Sequence, residues 1–313
     1  MAGIEGKRKK KEGTPDPAEK VEAYVKDPEP LEPRANLDGK ALVSGWVNAK
    51  DRSDQFVYDL LNNHDGISAF DFQTIVAFVD DATFSKKRLL SRSSRYNGLL
   101  DKLDFIQAGA PGDLPTVEAL TGVNCWTAHV ECTEGINVES KLSDIATVAK
   151  LAGVKNVAVM VSNAAGVSTS LGSGANARFS DSACEFTVAF VGELDDKKKE
   201  GSQPYRILNM EDVTVEAGAI VSGTFSREEA TRILAESLGL KSAACRTVAL
   251  QDVPTDSRAA VLIKGMRSAG YGRCQEINDI FDRGKFFISW VPLVSLLEMI
   301  DSLTLYVSMR TSQ

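Results

Sequence analysis

Residues 41–51 read Ala-Leu-Val-Ser-Gly-Trp-Val-Asn-Ala-Lys-Asp, and this stretch decides the fold. A short apolar run, Lys40–Val43, ends in Ser44-Gly45, and an amphipathic helical pattern follows near Asp51–Asn62. A short buried strand that passes through a glycine turn into a helix is the first half of a βαβ unit. The stretch therefore predicts an α/β domain built on a parallel sheet.

The turn after this strand lacks the residues that bind a dinucleotide. Such a turn needs further glycines three and six residues after the first, so that the backbone can approach the pyrophosphate and the helix can pack on the strand. Counted from Gly45, those positions hold Asn48 and Asp51. Asp51 is a good N-cap, but it places an anion where the pyrophosphate would bind. We therefore expect weak NAD(P) binding or none, with Gly45 as the remaining backbone contact.

Short apolar runs alternate with helical patterns along the first two thirds of the chain. The six predicted strands are Lys40–Val43, Thr74–Val79, Leu103–Ala108, Cys125–Val130, Asn156–Ser162 and Phe186–Val191. Runs rich in Val and Phe are typical of strands buried on both faces of a parallel sheet. The clearest helical pattern is Val138–Ala152, which Gly153 ends. This order predicts a doubly wound, mostly parallel, Rossmann-like sheet with helices on both faces.

The rest of the chain is more helical. Four further elements are predicted, a strand at Arg246–Leu250 and helices at Ser226–Leu238, Ser257–Ala269 and Glu276–Asp282. The stretch Phe286–Val307 is apolar, but it contains Glu298 and Asp301, and central acids are costly in a bilayer. We therefore predict a buried or interfacial helix there. The predicted domains are an extended or disordered arm (1–38), a Rossmann-like α/β domain (39–285) and an apolar C-terminal helix (286–313).

Composition limits the classes of partner and site. The net charge of −7 argues against nucleic-acid binding, which depends on neutralising phosphates. Five cysteines without a Cys-x-x-Cys pair indicate reduced thiols, and two histidines make a histidine-based metal site improbable, so no metal is expected. His129 lies inside an apolar run and is interpreted as a core histidine with satisfied hydrogen bonds.

The first 38 residues contain the basic run Lys7–Lys11 and five of the ten prolines, without a hydrophobic signal segment. They are interpreted as a solvated arm. A segment that lies along a partner, a targeting remnant and a nuclear localisation patch remain alternatives. We expect a protein that is not secreted and that resides in the plastid stroma, an organelle matrix or the cytoplasm.

Several segments, in this order, resemble atypical short-chain dehydrogenase/reductases of the NmrA-like branch. They are Asp104–Gly122 with the ending Leu120-Thr-Gly-Val-Asn124, Ala149–Ser162, Phe186–Gly192 and Ser222–Leu250. The resemblance covers roughly Lys40 to Leu250. It implies a Rossmann fold. Members of the family bind NAD(P) as reductases or redox sensors, or serve as non-catalytic subunits of larger complexes.

The family's catalytic pair is missing from the sequence. Reductases of this type carry Tyr-x-x-x-Lys, in which the lysine lowers the pKa of the tyrosine. None of the six tyrosines is followed by a lysine at the fourth position. Ser162 matches the substrate-orienting serine, or is a hydrogen-bonding strand end. Asp80 matches the acid that holds the adenosine ribose of NAD. The loop 163–174 either closes over a ligand or is a mobile connection.

These features give two functional hypotheses. The first is a pseudoenzyme of this family that acts as an interaction or assembly subunit, with other protein subunits as partners and without a membrane span, although a membrane-associated complex remains open. The alternative is an NAD(P)-dependent oxidoreductase or NAD(P)-binding redox sensor with an altered phosphate loop. A hydrolase finds little support, because Gly-x-Ser-x-Gly is absent and both histidines look poorly placed.

Overall fold

The computed structural model describes residues 31–46, 53–62, 69–90, 98–164, 169–210, 221 and 223–289. The strands are β1 Asp38–Ser44, β2 Asp71–Val79, β3 Leu103–Gln107, β4 Val123–Glu131, β5 Asn156–Ser162, β6 Glu185–Phe190, β7 Glu193–Asp195, β8 Tyr205–Asn209, β9 Thr224–Ser226 and β10 Arg246–Asp252. The helices are α1 Ser53–Leu61, α2 Ala82–Leu90, α3 Val138–Ala152, α4 Thr169–Ser180, α5 Arg227–Gly239, α6 Arg258–Ser268 and α7 Arg273–Ser289. The positions of Asn48 and Asp51 lie outside the described residues.

Eight strands form one sheet in the order β3-β2-β1-β4-β5-β6-β10-β8. All neighbouring strands are parallel except β8, which runs antiparallel to β10. The chain builds outward from β1 to β3 and then returns to place β4 on the other side of β1. The carboxyl ends of β1 and β4 therefore flank the switch point, where ligands bind in doubly wound sheets. The predicted fold class, a Rossmann-like and mostly parallel α/β sheet with a helical C-terminal part, is confirmed.

Two apolar layers cover the two faces of the sheet. On one face, the buried residues of β1 and β2 share a core with α1, α5 and α7, and this core includes Tyr58, Leu234 and Phe281. On the other face, α3 and α4 pack on β4, β5 and β6 around Trp126 and Phe186. Successive side chains of a strand point to opposite faces of the sheet, and here both faces are covered. The central strands are therefore continuous apolar runs in the sequence.

Helix α3 shows how local sequence sets an element's limits. The Asn137 side chain caps the first turn by accepting from the Ser140 backbone N–H. Gly153 ends the helix in a left-handed conformation with φ of 72°, and its N–H donates to the last carbonyls. The predicted bounds, Val138–Ala152, agree with the structure.

The interpretation of residues 163–174 as a loop is wrong from Thr169 onward. Helix α4 begins at Thr169 and continues to Ser180, although serines and glycines give this segment poor intrinsic helix propensity. Its later turns bury Ala175 and Phe179, and the Phe179 ring packs on Phe186 with centroids 5.3 Å apart. Burial against the sheet outweighs the weak local preference.

A short segment before β1 is fastened to the amino edge of the sheet. The buried Arg34 side chain donates from Nε to the Leu240 carbonyl and from Nη2 to Thr187 Oγ1, and Asn156 Nδ2 donates to the Ala35 carbonyl. Burial lowers the pKa of the Arg34 guanidinium to about 10. Residues 31–37, the described part of the predicted arm that precedes β1, therefore lie against the α/β domain, and Asp38 is already the first residue of β1.

At the other end of the described chain, α7 runs through the boundary predicted at residues 285 and 286 and is described as far as Ser289. The remainder of Phe286–Val307 lies outside the described residues. Among the helices in the described ranges, none is long and apolar enough to cross a membrane.

A buried group of charges joins α5 and α7 to the loop before β8. Glu276 has no exposed surface, and it accepts hydrogen bonds from Arg267 Nε at 2.7 Å and from Tyr205 Oη at 3.1 Å. Arg273 pairs with Glu276, Glu229 and Glu200. Buried ions need partners of opposite charge and satisfied hydrogen bonds, and this group supplies both.

Candidate functional site

Gly45 marks the end of β1 at the switch point. Its φ is +81°, and a Cβ built on it would lie 2.0 Å from the backbone oxygen of His129 on β4. Both the left-handed conformation and the close strand contact exclude a side chain. Gly45 is therefore required by the packing of β1 on β4, whether or not a ligand binds.

The next residue, Trp46, fills the space beside this contact. Its indole stacks on the His129 ring, with centroids 4.4 Å apart and planes 21° apart, and only 5% of the residue is exposed. The Trp46 indole therefore lies in the crevice between the ends of β1 and β4. Nothing in the sequence analysis indicated this stack, although a tryptophan directly after the first glycine is a visible signal.

His129 connects the ends of three neighbouring strands. Its Nδ1 lies 3.2 Å from the Gly45 carbonyl oxygen, and its Nε2 lies 2.8 Å from Ser162 Oγ. A carbonyl oxygen only accepts, so the Nδ1 nitrogen carries the proton and Nε2 accepts from the serine hydroxyl. The histidine is satisfied, as predicted, but it is only partly buried. The contact of His129 with Ser162 was not predicted from the sequence.

The imidazole of His129 is held in its neutral form. Desolvation lowers its pKa to about 4, the nearby positive charge of Arg227 acts in the same direction, and the hydrogen bond to Gly45 partly opposes both effects. At neutral pH, Nε2 is therefore an acceptor for the Ser162 hydroxyl.

An open cleft of about 600 Å³ lies beside this group at the carboxyl ends of β4 and β5. The residues that line it include Glu131, Ser162, Asn163, Glu193, Thr224 and Arg227. Asn163 has a left-handed φ of 54° and donates from Nδ2 to Glu131 Oε1 at 2.9 Å, so the chain turns sharply after Ser162. Arg227, the first residue of α5, donates to Asp196. The walls of the cleft are formed by the ends of β4 and β5, the start of α5, and a second, two-stranded parallel sheet in which β7 pairs with β9.

Asp80 directly follows β2 and lies at the same edge of the sheet, since Phe78 on β2 pairs with Ser44 on β1. Desolvation raises the pKa of its carboxyl group, with a smaller contribution from Asp113, while a hydrogen bond from the Gly112 backbone opposes the shift. Its carboxylate is thus engaged with the turn after β3. The structure brings Gly45 and Ser162 together through His129, and it places Asp80 one strand away at the β2 end.

The cysteines add no site of their own. All five are free thiols, with Cys125 and Cys184 buried, and burial raises the pKa of the Cys125 thiol to about 12. Within the described ranges, no three His, Cys, Asp or Glu side chains are grouped so as to hold a metal ion.

No protein-family model and no curated protein matches this sequence. Among solved structures, the chain is similar to a Rossmann-fold NAD(P)-binding family protein from Shigella flexneri, with a TM-score of 0.45 and 12% identity over 70% of this chain and 96% of that one. It is also similar to Pen from Bacillus thuringiensis, with a TM-score of 0.40 and 10% identity over 74% of this chain and 75% of that one. Identities this low concern the fold alone, and the strand order defines this chain as a Rossmann-like α/β protein.

Proposed function

We propose that this chain is a degenerate, NmrA-like short-chain dehydrogenase/reductase that does not transfer hydride and that acts as an interaction or assembly subunit. The observation that carries the proposal is the Trp46 indole stacked on His129 at the switch point. In doubly wound sheets this crevice receives the dinucleotide. A buried indole in the same place leaves little room for a nicotinamide ribose or a pyrophosphate.

The residues around the switch point fit NAD(P) poorly. The close contact with β4 already explains why a glycine is needed at position 45, so its presence does not indicate a phosphate-binding turn. The Asp80 carboxylate, which would hold a ribose, is engaged with Gly112. The sequence also lacks the tyrosine and lysine that would supply and tune a proton. We therefore assign no reduction step to this site.

Calorimetric titration with NADH and with NADPH tests this part of the proposal. We expect no binding tighter than the millimolar range for the wild-type protein. Trp46→Leu removes the indole, and it should strengthen binding about tenfold or more if the indole is the obstacle. Trp126→Leu is the matched control, because Trp126 is a buried tryptophan on the opposite face of the sheet. Low micromolar affinity in the wild-type protein would contradict the proposal and favour the oxidoreductase or redox-sensor alternative.

The assembly role rests on the apolar stretch that follows the described part of α7. Residues 290–307 are mostly apolar, and a large exposed apolar surface is unusual in a monomer. Since α7 is helical to Ser289, the informative truncation removes residues 290–313 and leaves the described helix intact. Proteins that co-purify with the full chain are identified first, and we expect the truncated chain to keep its circular dichroism and thermal transition but to lose them. A truncated chain that keeps both its fold and its partner would exclude this stretch as the contact.

A further inference from the structure

The pairing of Ser162 with His129 is the contact at the candidate site that the proposed function does not use. The hydroxyl and the imidazole come from neighbouring parallel strands, in which Glu131 pairs with Ser162 two residues beyond His129. Their separation of 2.8 Å is the distance at which a base can take the proton of a hydroxyl.

We propose that Ser162 is a nucleophile activated by His129, and that the cleft beside it accepts a carboxylic ester for acyl transfer to the serine. This goes beyond the role as an assembly subunit and is independent of it. The parts that the chemistry needs are a nucleophile, a base within hydrogen-bonding reach, a group that orients the base, and a cavity for the acyl group.

The orienting group is the backbone carbonyl of Gly45. It accepts from His129 Nδ1 and so leaves the lone pair of Nε2 pointing at Ser162 Oγ. In serine hydrolases a carboxylate has this position and also stabilises the imidazolium that forms during reaction. A neutral carbonyl orients the ring without that stabilisation, so we expect slow turnover.

The cleft supplies room and a positive charge. Ser162, of which only 2% is exposed, borders it together with Asn163, Arg227 and two carboxylates, Glu131 and Glu193. The left-handed turn at Asn163 ends β5 sharply behind the serine. The guanidinium of Arg227 lies close enough to His129 to affect its titration, and it is the cation among the described residues that line the cleft. It also donates to Asp196, and we assign it to the stabilisation of the developing oxyanion.

The reaction balances without a cofactor. Ser162 Oγ bonds to the acyl carbon while its proton moves to His129 Nε2, and the bond between the acyl carbon and the alcohol oxygen breaks. The departing alkoxide takes the proton from Nε2 and leaves as the alcohol. Water then attacks the acyl carbon and gives a proton to His129 Nε2. The bond between that carbon and Ser162 Oγ breaks, Oγ takes the proton back from Nε2, and the carboxylic acid leaves.

A fluorophosphonate probe tests this proposal in the full-length protein. Attack by the serine forms an oxygen–phosphorus bond and releases fluoride, and the stable adduct is counted by intact-protein mass spectrometry. We expect one adduct, mapped to Ser162 and absent in Ser162→Ala. Ser44→Ala is the matched control, because Ser44 is an equally buried strand-end serine whose hydroxyl accepts from Trp126 Nε1 instead of facing a histidine.

The role of the base is tested in the same assay. His129→Gln should lower the labelling rate about 100-fold or more if the imidazole activates the serine. Should that variant fail to fold, Ser162→Cys retains His129, and its thiol should react with iodoacetamide at pH 7 at least about tenfold faster than that of Ser44→Cys. The proposal is overturned if the wild-type protein forms no adduct, if the adduct persists in Ser162→Ala, or if neither comparison shows an effect of His129.

Discussion

Gly45→Ala will destabilise the protein by about 2–5 kcal/mol, because it combines backbone strain with a steric clash. A left-handed φ of +81° costs a non-glycine residue roughly 1–2 kcal/mol. The new methyl group would also lie 2.0 Å from the His129 backbone oxygen, and overpacking of this kind typically adds about 1–3 kcal/mol. A backbone atom in the middle of a sheet cannot move aside as a flexible side chain would. Urea unfolding followed by circular dichroism measures the change.

Gly122→Ala separates the two contributions. Gly122 has a similar φ of +72°, but a Cβ there would meet no atom within 4 Å. Its substitution should therefore cost only the strain, about 1–2 kcal/mol. Equal losses at the two glycines would mean that β1 and β4 can separate at the switch point. The crevice would then be able to open for a ligand.

Glu276→Gln is expected to cost about 3–5 kcal/mol of unfolding free energy, because it removes the central anion of the buried charge group. The Glu276 carboxylate accepts from Arg267 and Arg273 and also from Tyr205. The amide is nearly isosteric, so the expected loss comes from charge and hydrogen bonding and not from volume. The two guanidinium groups would each lose an anionic partner whose carboxylate is fully buried. Thermal and urea unfolding of the variant test this expectation.

Glu139→Gln provides the surface comparison. Glu139 also pairs with an arginine, Arg178, but its side chain is 59% exposed. Exposed ion pairs contribute at most about 1 kcal/mol, since water and salt screen them. The same small loss of unfolding free energy in both variants would mean that the group around Glu276 is much better solvated than its burial indicates. In that case the group would not be what holds α7 against α5.

The parallel sheet could be predicted because its central strands, such as β5 and β6, are buried on both faces, and even the edge strand β3 contains apolar residues. Asn156–Ser162 was predicted to the residue, and the other five runs agree with strands to within a few residues at each end. The short strands β7, β8 and β9 were not predicted. β7 and β9 have three residues each, and β8 is an edge strand with an exposed Arg206, so none shows a long apolar run.

The candidate site could be predicted only in part. Positions at strand ends follow from sequence, which is why Gly45, Asp80 and Ser162 were candidates. The partners of Ser162 do not follow, because they depend on which strands are neighbours and on their register. The position of His129 two residues before the residue paired with Ser162 could have indicated the contact once β4 and β5 were aligned. The stack of Trp46 on His129 depends on a side-chain direction that no periodicity encodes.

The two ends of strand β5 contact different parts of the protein. At the amino end Asn156 holds the segment before β1, and at the carboxyl end Ser162 borders the cleft. With a rise of about 3.3 Å per residue, the two ends lie roughly 20 Å apart. A partner that binds residues 31–37 would therefore contact the amino-terminal edge of the sheet, whereas the cleft lies at the carboxyl-terminal edge. The protein could be tethered in an assembly while its cleft remains accessible to small molecules from the surrounding solution.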